Sequence, residues 1–132
     1  MTIANVRTKL AEALETVPGL RASEYLTETV NPPHAMFDYS VVPDLTFARG
    51  SDLYNFTITV FVGRTADVAA QKQLDLFRDP TSTTGVKYVL ENNAALAGVV
   101  DYVRVTAIGA TELIPVSGVE YLAAQFSMEG VI

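Results

Sequence analysis

The chain of 132 residues has the length of one domain, and a domain of this size buries about two-thirds of its unfolded surface. Hydrophobic residues make up 49% of it and charged residues only 18%, so some apolar surface is expected to remain for contacts with other molecules. With 15 acidic against 9 basic residues, the net charge of -6 argues against tight binding of nucleic acid by the domain as a whole.

The sequence contains no cysteine, which excludes disulfide bonds and thiolate metal sites and fits a reducing compartment. The first residues lack the charged and apolar regions of a signal peptide. No apolar run approaches the roughly 20 residues that are needed to cross a bilayer. We therefore expect a protein that is made and used in soluble form, without a membrane partner.

Residues 2–17 are predicted to form an amphipathic helix, because apolar side chains recur every three or four residues and form one stripe. Thr2 is a candidate N-cap, and Pro18 with Gly19 ends the helix. The stripe consists of Ile3, Val6, Leu10, Ala13, Leu14 and Val17. This helix is expected to pack one face on the rest of the domain.

Two strands are predicted to follow. Residues 20–29 have a β-compatible composition, and the Asn31-Pro32-Pro33 turn interrupts any ladder because proline has no N–H to donate. Residues 35–42 form the second predicted strand. After it, a loop that Pro43 and Asp52 bracket holds Leu45 and Phe47 among polar residues.

Residues 53–62 give the clearest strand pattern. One face is wholly apolar and the other mostly polar, which is typical of an antiparallel sheet that helices cover on one side. The apolar face consists of Tyr54, Phe56, Ile58, Val60 and Val62. This strand is therefore expected to lie against the helices of the domain.

Two helices and two strands complete the predicted order. Residues 66–78 form a helix that ends at Asp79-Pro80, and residues 86–90 form a short one. The apolar arc of the longer helix consists of Ala66, Ala69, Ala70, Leu74, Leu76 and Phe77. Residues 101–110 and 119–129 are the last two strands. The order α-β-β-β-α-α-β-β predicts one α+β domain over residues 1–132, with an antiparallel or mixed sheet and helices packed on one face.

The faces of the last two strands follow from alternation along the chain. In the strand over residues 101–110, one face consists of Val103, Val105 and Ala107. In the strand over residues 119–129, one face consists of Leu122, Ala124, Phe126 and Met128, and the other of Tyr121, Ala123, Gln125 and Ser127. Core packing is expected for Phe126, whereas Ala123 and Ala124 are small residues that the core does not obviously need.

The sequence contains no motif that would assign a catalytic, cofactor-binding or metal-ligating role to a residue. His34 is the single histidine, and a zinc site there would need carboxylates alone, so we expect a solvated or capping histidine. No Gly-x-Ser-x-Gly elbow or phosphate-binding glycine loop is present, and no pair of carboxylates has a spacing that distinguishes it. No cofactor is therefore expected.

What remains are apolar, aromatic and rigid residues that a core does not obviously need. A strand face that carries a tyrosine and an alanine can accept another backbone closely, and tyrosine is enriched at interfaces. The candidate subunit or tube interface consists of Leu45, Phe47, Arg49, Pro32, Pro33, Tyr121 and Ala123. The alternative is that these residues merely complete the core.

Several stretches of the sequence resemble the tail terminator proteins of long-tailed bacteriophages, also called tail completion or minor tail protein U-like proteins, particularly those of actinobacterial hosts. The resemblance is carried by the order of the elements and by residues 6–10, 56–64, 71–75, 85–91 and 96–106. It covers most of the chain. It rests on an overall pattern and includes no catalytic signature.

This resemblance implies a structural protein that is not an enzyme. Members of the family form a homohexameric ring that caps the tail tube, stops polymerisation of the major tail protein and faces the head-completion proteins of the neck. The ring would be assembled in the host cytoplasm and reside in the virion at the junction of tail and neck. DNA would pass through its lumen without specific binding, and an acidic lumen would repel phosphates.

Two alternatives stay open at this point. A head-closure or head-to-tail connector protein of the phage neck is another ring-forming α+β subunit of similar size. A small α+β hydrolase or ligand-binding module belongs to a different class of protein, and it would be recognised by a deep pocket with converging carboxylates.

Overall fold

The computed structural model describes residues 3–27, 29–43, 52–64, 68–98, 100 and 102–131. The helices in this part of the chain are α1 (Ile3–Glu15), α2 (Val68–Arg78), α3 (Val86–Asn92) and α4 (Ala94–Ala97). The strands are β1 (Arg21–Ser23), β2 (His34–Val42), β3 (Leu53–Arg64), β4 (Tyr102–Ile108), β5 (Glu112–Val116) and β6 (Val119–Val131). The predicted α+β class is confirmed.

The six strands form one mixed sheet. Five of them follow the order β1-β2-β3-β6-β4, and the sixth, β5, also pairs with β6. β1 runs parallel to β2, and the other neighbours are antiparallel. β4 and β5 pair with successive parts of β6, on the side that β3 does not occupy. Ser117 and Gly118 connect β5 to β6, and both have a positive φ. β5 and β6 thus form a hairpin. The first residues of β6, before Tyr121, extend past the end of β3.

The main core lies between the helices and one face of the sheet. Phe56, Ile58 and Val60 alternate along β3 and are at most 1% exposed, so the predicted apolar face is confirmed. The helices contribute to the same cluster through residues such as Leu10 of α1 and Leu74 of α2. On β6, Leu122, Ala124, Phe126 and Met128 belong to this cluster. Phe126 is therefore buried as predicted, whereas Ala124 is part of the core although no role there is predicted for it from the sequence.

Helix α1 forms where the apolar stripe predicts it. Val6, Leu10, Ala13 and Leu14 are fully buried, and so is Val17 in the turn that follows the helix. The helix ends at Glu15, and Gly19 adopts a φ of +80° after it. A glycine favours this left-handed conformation because it has no Cβ.

The apolar arc predicted for α2 is only partly correct. Ala70, Leu74 and Phe77 are buried, since spacings of four and three residues keep them on one side of the helix. Leu76 is 62% exposed and Ala69 is also exposed. Two residues turn a helix by about 200°, so Leu76 cannot share the buried side of Leu74.

The predicted alternation of β4 fails at a β-bulge. The register with β6 shifts between Val105 and Ala107, and one extra residue reverses the faces that follow. Val105 is buried and Val103 packs against the core, as the pattern predicts, but Ala107 is exposed and Ile108 packs against the core in its place.

Two short elements were not predicted, and one strand is shorter than predicted. α4 is a single turn, which Asn93 begins by accepting a hydrogen bond from the Leu96 N–H at 3.0 Å. β5 contains Pro115, and its apolar residues Leu113 and Ile114 are adjacent, so its sequence lacks a clear strand pattern. Of the described residues in the predicted strand over residues 20–29, only Arg21–Ser23 pairs with the sheet.

A second, smaller cluster covers part of the other face of the sheet. It consists of Val30, Met36, Phe61 and Ala123, with Ile114, Val116 and Tyr121 packed against it. Its members come from the segment before β2, from β2 and β3, and from the hairpin of β5 and β6. The sheet is therefore buried on both faces at this end.

Candidate functional site

The structure places four of the seven predicted interface residues. Pro32 and Pro33 are half-buried and joined by a cis peptide bond, and the Pro33 carbonyl accepts a hydrogen bond from the Arg21 N–H at 3.0 Å. Tyr121 is half-buried, and its ring lies edge-on to Phe61 at 5.9 Å. Leu45, Phe47 and Arg49 lie outside the described residues.

Ala123 is fully buried within the chain itself. It lies opposite Phe61 in the ladder of β3 and β6 and belongs to the second cluster. The expectation that it forms a surface for another backbone is therefore corrected. Alternation along β6 placed Ala123 on the face away from the helices, but it did not show that side chains of the same chain cover that face.

His34 is buried, so the expectation of a solvated or capping histidine is wrong. It is 7% exposed, and its Nε2 lies 2.6 Å from the Ser23 hydroxyl oxygen. The parallel pairing of β1 with β2 brings Ser23 next to it. Its Nδ1 is buried and has no partner among the described residues. Among the described residues, no group therefore orients the imidazole of His34. A histidine that acts as the base of a serine nucleophile needs such a group.

Burial, together with the positive charge of Arg21, lowers the pKa of His34 below its ordinary value of 6.5. The folded protein therefore holds a neutral imidazole at a pH where the unfolded chain already binds a proton. As the pH falls below about 6.5, the unfolded state gains this proton first and the free energy of unfolding decreases. Above that pH the group has no effect, because it is neutral in both states.

We expect the folded state to lose stability on mild acidification, by at most about 1.4 kcal/mol per pH unit from this one group. The measurement is urea denaturation at about pH 8 and about pH 5.5. The control is His34→Gln, which carries no charge at either pH. If the wild type and this variant lose the same amount of stability, His34 does not titrate as its buried position implies.

A shallow depression of about 340 Å³ lies against β2 and β3, lined by Asp38, Tyr39, Ser40, Asn55 and Thr57. Asp38 pairs with Thr57 and Ser40 with Asn55 in the ladder, on the face of the sheet opposite Phe37, Phe56 and Ile58 of the main core. The lining holds a single carboxylate, Asp38, which lies 3.5 Å from Arg7. No group of three potential ligands that could hold a metal ion occurs among the described residues. The depression is polar but brings no second carboxylate or imidazole to Asp38.

Arg7 organises a group of aromatic side chains at one end of the sheet. Its guanidinium carbon lies 4.4 Å from the centre of the Tyr25 ring and 5.1 Å from that of Tyr39. Tyr39 in turn lies 5.4 Å from Tyr54, which faces Val41 in the ladder of β2 and β3. We call Tyr25, Tyr39, Val41 and Tyr54 the aromatic ledge. Tyr25 is 58% and Val41 38% exposed, while Tyr39 and Tyr54 also pack against the core.

The aromatic ledge has the composition of a binding surface, because tyrosine and arginine are enriched among the residues that dominate interface energies. The sequence did not predict it. Its members come from β2, β3 and the segment after β1, and the sequence assigned Tyr54 to the buried face of its strand. The only sequence signal was Arg7 on the polar side of α1.

A second surface lies on the outer side of α2. Val68, Lys72 and Leu76 are spaced four residues apart and therefore share one side of the helix. Both apolar members are 62% exposed, and Lys72 is exposed between them. We call these three residues the outer stripe. Of these three residues, the sequence pattern predicts Leu76 to lie on the apolar side of the helix.

The edge of the sheet is protected where β4 runs beside α3. The Glu91 carboxylate of α3 accepts a hydrogen bond from the Val105 N–H at 3.0 Å and pairs with Lys87. Burial alone would raise the pKa of Glu91, but the hydrogen bonds from Lys87 and Val105 hold the pKa below its ordinary value. Glu91 thus occupies a backbone donor that another strand would need.

Two further segments of the edge are protected in other ways. The Tyr39 N–H in the second half of β2 donates to the Asp38 carboxylate at 2.8 Å. β5 carries Pro115, which has no N–H to donate. Such features hinder the addition of a strand from another chain. Contacts with a partner are therefore expected to involve side chains more than backbone pairing at these segments.

No protein-family model matches the chain, and no curated protein matches it significantly. In the part of the chain that the structure describes, no helix has both the length and the apolar character to span a membrane.

Proposed function

We propose that the chain is a tail terminator subunit of a bacteriophage, which forms a ring, ends the tail tube and joins the tail to the neck. The observation that carries this proposal is the presence of two different surfaces with exposed apolar side chains, the aromatic ledge and the outer stripe. A ring of identical subunits needs two different, complementary surfaces on each copy. The assignment of that ring to a phage tail comes from the sequence resemblance.

The two surfaces lie toward opposite ends of β3. Tyr54 of the aromatic ledge is the second residue of this strand. The helix that carries the outer stripe begins beside the other end, since a Cβ on Gly63 would lie 3.0 Å from the Cβ of Ala70. Gly63 follows Tyr54 by nine residues, which is about 30 Å along the strand. Surfaces toward opposite ends of a strand suit a contact in which one end of a subunit meets the other end of the next.

The packing of the described residues also supports a non-catalytic role. The Ser23 and His34 side chains, which resemble a nucleophile and its base, are packed where β1 joins the sheet. The carboxylate in the depression on β2 and β3 is engaged by Arg7 and by the Tyr39 N–H. Structural contacts thus account for both groups. We assign the protein no reaction.

Light scattering of the purified protein, alone and mixed with the major tail protein of the same phage, tests the proposal. We expect a ring, and six copies of the 14.2 kDa chain would have a mass of about 85 kDa. The ring is also expected to bind the ends of tail tubes made without heads. A strict monomer in both conditions would contradict the proposal. Binding to portal-bearing heads in preference to tubes would instead identify a head-closure protein.

A further inference from the structure

Charges flank the exposed apolar side chains of the aromatic ledge. Glu24 is exposed next to Tyr25, and the side chain of Asp38 is 62% exposed beside Tyr39. Arg7 is the cation at this surface, but its side chain is only 11% exposed and lies 3.5 Å from Asp38. Among the described residues of this surface, the one positive charge of Arg7 therefore faces the two negative charges of Glu24 and Asp38. The aromatic ledge presents an apolar surface with an acidic border.

The outer stripe has the opposite character. Lys72 lies between Val68 and Leu76, and it forms no salt bridge with a described residue. The nearby acidic residue of α2, Asp75, is paired with Arg78 at 3.4 Å. The outer stripe is thus an apolar surface with a positive charge at its centre that no described residue neutralises through a salt bridge.

We infer that the aromatic ledge of one copy binds the outer stripe of the next copy, and this inference rests on the proposed ring. Val68 and Leu76 would cover the exposed parts of Tyr25 and Val41, and Lys72 would meet the acidic border at Glu24. The two surfaces are complementary in charge and similar in apolar character. Because they lie toward opposite ends of β3, the contact joins different copies.

Charge reversal across the contact is the direct test. Lys72→Glu and Glu24→Lys are each expected to raise the concentration at which the ring dissociates by at least about tenfold, since each puts like charges together. The double variant restores opposite charges and is expected to recover most of the wild-type assembly. The measurement is light scattering over a dilution series. Lys9→Glu and Glu15→Lys, at residues of α1 that belong to neither surface, make the same changes in net charge and are expected to assemble as the wild type does.

The apolar part of the contact has its own test. Leu76→Ser is expected to weaken the ring at least about tenfold, because this side chain would be buried only in the assembly. Leu113→Ser is the matched control, since Leu113 is 49% exposed and lies on β5, outside both surfaces. Circular dichroism checks that each variant is folded. At 62% exposure, Leu76 contributes little to the fold of a single copy.

The results separate this inference from the proposed function. If the wild type forms rings, and the single charge variants and Leu76→Ser form them equally well, the contact is wrong while the proposed function stands. If the single variants fail to assemble and the double variant does not recover, the pairing of these two surfaces is wrong. If the wild type is monomeric alone and with the major tail protein, the proposed function fails and this inference fails with it.

Discussion

Replacing Phe56 with alanine is expected to lower the free energy of unfolding by about 3–5 kcal/mol. The side chain is 1% exposed in the first half of β3. Its ring lies 6.4 Å from that of Phe37, 6.0 Å from Tyr39 and 6.2 Å from Tyr54. The variant loses the buried apolar area and these ring contacts, and it leaves a cavity that the neighbouring strands cannot fill.

Urea denaturation followed by circular dichroism measures this loss. Tyr25→Ala is the matched control, because Tyr25 is also aromatic but is 58% exposed, and its loss is expected to cost about 1 kcal/mol or less. Since domains of this size are stable by about 5–15 kcal/mol, Phe56→Ala is expected to leave a marginal fold. A loss as small as that of Tyr25→Ala would show that Phe56 is not in the core.

Gly85→Ala is expected to have the second largest effect, toward the upper end of the about 1–3 kcal/mol that overpacking costs. A Cβ at this position would lie 2.6 Å from the Asp79 carbonyl oxygen and 3.3 Å from that of Ser82. Both are backbone atoms, so no side-chain rotation relieves the contact. The φ of -78° at Gly85 is ordinary, and the cost is therefore steric.

Gly118→Asn is the control for this variant. Gly118 has a φ of +81° and nothing within 4 Å of the position of a Cβ, and asparagine tolerates this backbone conformation better than most residues. We expect a smaller loss of stability than for Gly85→Ala, measured by the same denaturation. Equal losses would mean that the turn before α3 rearranges to make room for the methyl group.

If the aromatic ledge and the outer stripe join neighbouring copies, packing around β3 affects both the stability of one copy and the assembly of the ring. Phe56 lies beside Tyr39 and Tyr54 on the same face of the sheet, so a cavity there would loosen the aromatic ledge as well as the core. The charge variants Lys72→Glu and Glu24→Lys act on exposed side chains and leave this packing intact. Comparing the two kinds of variant therefore distinguishes a loss of assembly through unfolding from a loss through the contact itself.

The sequence by itself was sufficient for the elements whose pattern is strong and regular. The spacing of Val6, Leu10 and Leu14 determined the buried side of α1, and the alternation of Phe56, Ile58 and Val60 determined that of β3. In these segments, one face meets the core along the whole element, so local periodicity and burial agree. That agreement was enough to establish the α+β class.

The predictions failed where burial depends on a neighbour that local periodicity does not reveal. The sequence pattern predicts Leu76 on the buried side of α2, although its angular position lies on the outer side of the helix. A bulge in β4 places Ile108 against the core instead of Ala107. β5 was missed because it is held by pairing with β6 and not by a pattern of its own. Each of these results is a property of two elements together.

Burial that depends on neighbouring elements also decides which side chains lie at the surface. Composition indicated an excess of apolar residues, but only the packing decided that Ala123 and His34 are buried and that Leu76 and Val68 are exposed. Arg7 and the tyrosines at positions 25, 39 and 54 come from four separate segments, and their contacts exist only when those segments have folded together. Local sequence determined the helices, the strands and their apolar faces, whereas the tertiary structure alone decided which apolar side chains remain available to another subunit.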